Sequence, residues 1–260
     1  MSLIAPPRGD RAIFRINPVA KLASALLLAG VLILTIDWVS AAVALACEFV
    51  LVFWAGLSLK SFVLRTLPVW IAAPTAGLTT LLYGQPAGAV YWAFGLVNVT
   101  EGSLELAIAT TLRILAIGLP SVVLFVTVDP TDLADGLAQV VKLPARFVLG
   151  GLAGLRLVGL FLGDWRALEL ARRARGIADG GAGRRLLSQA FALLVLSIRR
   201  GSKLATAMEA RGFGAPVQRT WARESTFRGR EVALIGIGLA VALLAVGVSV
   251  ALGSWNFVLT

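Results

Sequence analysis

Two copies of one tripeptide, Ala174-Arg175-Gly176 and Ala210-Arg211-Gly212, each close a long helical pattern inside a basic stretch. Glycine just past a helix end takes the left-handed conformation that terminates the turn, and a cation there meets the carbonyl end of the dipole. A single copy reads equally well as an ordinary helix cap. A matched pair presents two planar guanidinium forks, which suits docking on a protein partner better than catalysis. Glu48 and Arg113 are the other charges with possible chemistry, each near the middle of an apolar run. An ionised group at a bilayer centre costs several kcal/mol on most scales, so the two are expected to pair, with an ion or proton path as the functional alternative. The chain has no histidine, and Cys47 is its single cysteine. That removes the commonest general base and metal ligand as well as any internal disulfide or cysteine metal cluster. No catalytic residue and no metal site are expected.

The elements that carry these residues are membrane helices. With 58% hydrophobic residues, 15% charged residues and mean hydropathy +0.87, 260 residues are too apolar for a soluble domain. The fold class is therefore all-α, a polytopic membrane protein with about five spans and a pair of long cytoplasmic helices. Spans are expected at 19–36, 39–57, 67–83, 104–128 and 232–252, each near the roughly 20 apolar residues a crossing needs. Asn17-Pro18 reads as an N-cap with proline at the first helical position, and Lys21 as a side chain that snorkels to the headgroups. Residues 84–100, with Pro86, Tyr91, Trp92 and Phe94, read as an interfacial or partly re-entrant segment.

Of the 24 lysines and arginines, all but Arg113 fall in the N-terminal arm and first span, the 58–66 loop, or residues 142–230. The positive-inside rule then places the N-terminus and the basic region in the cytoplasm and the C-terminus outside. The net charge of +10 is read as cytoplasmic charge facing anionic lipid or an acidic partner, not nucleic acid. Three regions follow: 1–128 with four spans, 129–230 as a cytoplasmic region of long helices, and 231–260 as a last span. Asp129-Pro130-Thr131-Asp132 starts a helix. After Pro144 one pattern runs unbroken to Arg175, a rod on the order of 45 Å. Its first half is apolar enough to be mistaken for a span, although Arg156 sits in its middle. Gly150, Gly154, Gly159 and Gly163 permit close helix crossing there, against the protein's own spans or against a partner. A second helix over 184–211 carries Leu187, Phe191, Leu194, Val195 and Ile198 on one stripe, with Arg199 and Lys203 opposite.

In this order and topology, Asn17-Pro18-Val19-Ala20-Lys21-Leu22, Asp129-Pro130-Thr131-Asp132-Leu133, Arg172-Arg173-Ala174-Arg175-Gly176, Met208-Glu209-Ala210-Arg211-Gly212-Phe213 and Arg219-Thr220 resemble one family across nearly the whole chain. It is the transmembrane T component of energy-coupling factor transporters of vitamins and transition-metal ions. The resemblance implies that Arg175 and Arg211, with their flanking Ala174, Gly176, Ala210 and Gly212, dock on two ATP-binding-cassette ATPase subunits, the same or different. It implies that the apolar helix surfaces, here Gly154, Gly159, Phe191, Leu194 and Ile198, hold a small substrate-binding membrane protein, the S component. It also implies a non-catalytic subunit of a bacterial or archaeal cell membrane that binds no cofactor, ATP and Mg2+ residing on the partner ATPases. The chain contains no G-x-x-x-x-G-K-[ST] loop of its own. The alternative reading is an ion-coupled secondary transporter driven by Glu48 and Arg113, for which internal repeats and broken midplane helices would be usual. An integral-membrane enzyme is poorly served by a chain without histidine or clustered carboxylates.

Overall fold

A computed structural model of the chain describes residues 16–54, 59–84, 87–94, 97–176, 181–215 and 220–255. The basic N-terminal arm, the turn following Gly176, and Arg219 lie outside these residues. The described chain divides into two compact units, Pro130–Ser225 and the flanking Pro6–Asp129 with Thr226–Thr260. The fold is all-α apart from one small hairpin.

The flanking unit contains α1 (Pro18–Ile33), α2 (Trp38–Trp54), α3 (Leu59–Tyr83), α4 (Glu101–Val126) and α8 (Gly229–Ala251), one helix for each stretch expected to span. Helix α1 begins where Asn17 Oδ1 accepts the Val19 N–H at 3.0 Å and Pro18 supplies the first helical residue. Lengths of 16 and 17 residues make α1 and α2 short for a hydrocarbon core of about 30 Å. Helices α4 and α8 are long and apolar enough to cross by themselves. Helix α3 starts at Leu59, earlier than the apolar run suggested, and takes in residues 59–66 of the expected loop. Lys60 and Arg65 interrupt the hydropathy but not the backbone ladder, so the charges hid a helical turn rather than marking a loop.

Within the segment read as interfacial or partly re-entrant, β1 (Val90–Phe94) and β2 (Val97–Thr100) pair antiparallel, with Trp92 opposite Val99 and Phe94 opposite Val97. Aromatic and β-branched residues on both sides of a two-residue connection were the available strand signal. Thr100 and Ser103 then cap α4 reciprocally, each hydroxyl accepting the other residue's N–H at 3.2 and 2.9 Å.

Small residues set the packing of this unit. Leu28 and Leu32 of α1 are buried with Ala44 of α2, Ala116 of α4, and Ala242 and Ala245 of α8. Where α8 crosses α1, a Cβ on Gly238 would stand 3.3 Å from the Ser24 carbonyl oxygen and closer still to its hydroxyl. Lipid gives no hydrophobic drive for helices to associate, so close backbone approach and hydrogen bonds must supply the attraction. A buried polar cluster does so at the start of α2. Asp37 accepts the Ser40 N–H at 2.7 Å, the Ser40 hydroxyl at 2.7 Å and, from α8, the Ser249 hydroxyl at 2.6 Å.

The coupling unit holds α5 (Pro130–Gln139), α6 (Ala145–Ala174) and α7 (Ala182–Ala210). Asp164 of α6 receives a bidentate pair of bonds from Arg200 of α7, and Arg172 donates to Ser188 and to the Arg185 carbonyl. As the α6 number rises the α7 number falls, so the two rods run antiparallel. Helix α7 turns Gln189, Leu193, Leu196, Arg200, Leu204 and Met208 inward. The return segment is tied to α5, where Gln139 donates to the Arg223 carbonyl and accepts the Ser225 N–H, both at 2.8 Å.

Candidate functional site

The two tripeptides adopt one geometry. Arg175 is the C-cap of α6 and Arg211 the C-cap of α7, with φ of -88° and -91°. Gly176 and Gly212 follow at φ of 67° and 75°, the left-handed region that a side chain strains to enter. Their N–H groups return to the carbonyls of Arg173 and Glu209 at 3.1 and 2.9 Å, and Phe213 closes the second end on Met208 at 3.0 Å. Ala174 and Ala210 are the last helical residues. The glycine cap and the presented arginine are thus parts of one device, since the cap is what turns the chain away from the guanidinium.

Both arginines are exposed. Neither side chain bonds to another described residue, whereas neighbouring Arg172, Arg173 and Arg200 are held by Ser188, Glu169 and Asp164. Arg211 opens onto a groove of about 840 Å³ that Pro144 and Arg146 line from the start of α6 and Phe213 and Thr220 from beyond α7. Sequence reading missed Arg146. The antiparallel pairing that brings the start of α6 to the end of α7 was the absent piece of information.

The stripe expected on α7 is left unused by the unit itself. Phe191, Leu194 and Ile198 are 68, 54 and 61% exposed. Helix α6 has no buried residue along its 30 positions. Gly154 and Gly159 are exposed, and a Cβ added at Gly154 would meet nothing within 4 Å.

Two expectations are corrected. Glu48 and Arg113 do not pair: both Glu48 carboxylate oxygens and Arg113 Nη2 are buried without a hydrogen-bond partner, and no ion pair joins the two residues. Lys21 does not snorkel. It is 1% exposed, and its ammonium donates to the Thr127 carbonyl at 3.1 Å and hydroxyl at 3.0 Å.

Comparison with known proteins adds to this geometry. A family model described as CbiQ, cobalt transport protein, matches residues 9–221. The energy-coupling factor transporter transmembrane protein EcfT of Brevibacillus brevis is 29% identical over 248 residues, 90% of this chain and 93% of that protein. EcfT of Limosilactobacillus fermentum is 29% identical over 189 residues, 68% of this chain and 67% of the relative. EcfT 1 of Listeria monocytogenes is 27% identical over 227 residues, 82% and 84% of the two chains.

Proposed function

The chain belongs to the CbiQ family of cobalt transport proteins, whose model spans most of its length, and from that membership we propose how it works. It is the energy-coupling transmembrane component of an energy-coupling factor transporter. In this role it joins two ATP-binding-cassette ATPases to a substrate-binding S component. Arg175 and Arg211 each enter an acceptor-lined groove on one ATPase. ATP is bound with Mg2+ and hydrolysed there, and this chain contributes mechanical linkage instead of a catalytic group.

The observation that supports this reading is the repeated helix end. The same cap geometry presents a cation at the end of α6 and at the end of α7, and because the rods pair antiparallel the two tips lie about the 43 Å length of the 29-residue α7 apart. Points so far apart suit two subunits better than a single binding pocket. The exposed face of Phe191, Leu194 and Ile198, together with Gly154 and Gly159 of α6, receives the S component. That protein selects the cargo, a vitamin or a transition-metal ion. The N-terminus and the coupling unit face the cytoplasm, where the ATPases reside.

Purification in mild detergent followed by mass spectrometry tests the proposal. Expected is co-recovery of nucleotide-binding subunits and a small apolar membrane protein. Recovery of the chain with neither overturns it.

A further inference from the structure

Among the described residues the chain leaves the membrane unit between Asp129 and Pro130 and returns to it between Ser225 and Thr226. Both passages are held from one place, the first turn of α1. Asn17 Nδ2 donates to the carbonyl of Thr226, the first residue after the return, at 3.0 Å. Its backbone N–H donates to Glu231 Oε1 at 3.4 Å, and Glu231 Oε2 accepts the Arg228 N–H at 2.8 Å, so the start of α8 is held as well. Lys21 grips Thr127, two residues before the exit, through both its carbonyl and its hydroxyl.

Helix formation does not account for this arrangement. Capping α1 requires only Asn17 Oδ1, which serves Val19, so the Nδ2 bond is additional. A lysine in the first turn of a helix opposes that helix's own dipole. A fully buried ammonium is costly unless it is bonded. The placement of Lys21 makes sense at the end of α4, where Thr127 offers a carbonyl beyond the last helical residue Val126. In the coupling unit the same two passages are joined independently, since Gln139 of α5 holds Arg223 and Ser225.

We propose that Asn17 and Lys21 are positioning residues for energy coupling: they clamp both passages to α1, so that displacement of α6 and α7 is delivered to the membrane helices. This rests on the energy-coupling reading above. With the clamp released, ATP turnover continues and the membrane helices no longer follow it.

The experiment uses the complex with its ATPases, with and without ATP and vanadate, and reads amide hydrogen exchange over residues 19–24. In the wild type, trapping should change exchange there by about twofold or more. Asn17→Ser keeps a good cap but lacks Nδ2, and Lys21→Met keeps length without the ammonium. Their combination should retain the ATPases and hydrolysis while losing the nucleotide-dependent change, which a purely structural role would not abolish selectively. If that variant does not fold, Gln139→Leu, placed in the other unit, should reduce the same change. A variant complex that keeps the full change overturns the clamp, as does a wild-type complex with bound ATPases and no change on trapping. A wild-type chain that recruits no ATPase overturns the energy-coupling reading and the clamp with it.

Discussion

An arginine at a helix C-cap is favoured by its own helix, but only by about 0.3 to 1 kcal/mol. Replacing Arg175 or Arg211 by alanine should therefore leave folding nearly unchanged. Docking predicts a much larger effect elsewhere, because truncating a cation from a desolvated interface costs about 2 to 5 kcal/mol. At 1.4 kcal/mol per tenfold, this is roughly a 30-fold to several-thousand-fold loss of ATPase affinity. Each single variant should keep a complex held at its other end, and the double variant should release the ATPases in a co-purification assay. Lysine should recover only part, since it lacks the planar fork. Arg199→Ala and Lys203→Ala are suitable surface controls, whereas Arg172 is not, because it bonds Ser188 and Arg185. A double alanine variant that co-purifies normally would reduce both motifs to caps. Glu48 calls for a different test. Contacting residues typically show coupling of 0.5 to 3 kcal/mol in a double-mutant cycle, while independent sites add within about 0.5 kcal/mol. The thermal-stability cycle of Glu48→Gln with Arg113→Gln should fall in the second class. Coupling above about 1 kcal/mol would restore the ion pair.

At the scale of elements, the proposed function assigns separate jobs to the surfaces of α6 and α7. A carboxylate placed in an apolar contact must be desolvated without a partner, so Phe191→Asp or Leu194→Asp should weaken capture of the membrane partner and spare the ATPases. Pull-down of both partner types from one preparation checks this, and loss of the ATPases alone would reverse the assignment. The link between α5 and α6 offers a stability test. Lys142 is the non-glycine residue of the described chain with positive φ, at 59°, a conformation costing an L residue about 1 to 2 kcal/mol. Lys142→Gly should relieve part of that and raise the thermal midpoint slightly. The helices were legible in the sequence because hydropathy and cap residues are local signals: Asn17-Pro18 starts α1, and Arg175-Gly176 and Arg211-Gly212 end α6 and α7. What escaped was pairwise. No local pattern says that Glu48 and Arg113 stay unpaired, that Lys21 turns inward to Thr127, or that Arg146 comes to share a groove with Arg211.

At the scale of the whole molecule, α6 poses the sharpest question. It is long and apolar enough to cross a bilayer and buries none of its residues, so length and composition alone would add it to the spans. Charge argues against this. Arg156 would lie near mid-membrane, where an arginine costs at least about 2.5 kcal/mol. Crossing would also carry α7, with Arg184, Arg185, Arg199, Arg200 and Lys203, away from the anionic cytoplasmic leaflet, which attracts each basic residue by about 1 kcal/mol. The antiparallel pairing with α7 points the same way, because Arg200–Asp164 and Arg172–Ser188 hold the rods side by side, so the charged α7 would have to enter the bilayer with α6. With α6 on the cytoplasmic face, a cysteine replacing Arg184 should resist an impermeant thiol reagent in intact cells and react once the membrane is opened. A cysteine replacing Tyr91, 65% exposed in the hairpin, should react from outside, with Cys47 removed first in both cases. Labelling of position 184 from outside while Tyr91→Cys also reacts would make α6 a sixth span and place Arg175 outside. Two cytoplasmic ATPases could not then hold both, and the coupling mechanism would fail on geometry alone.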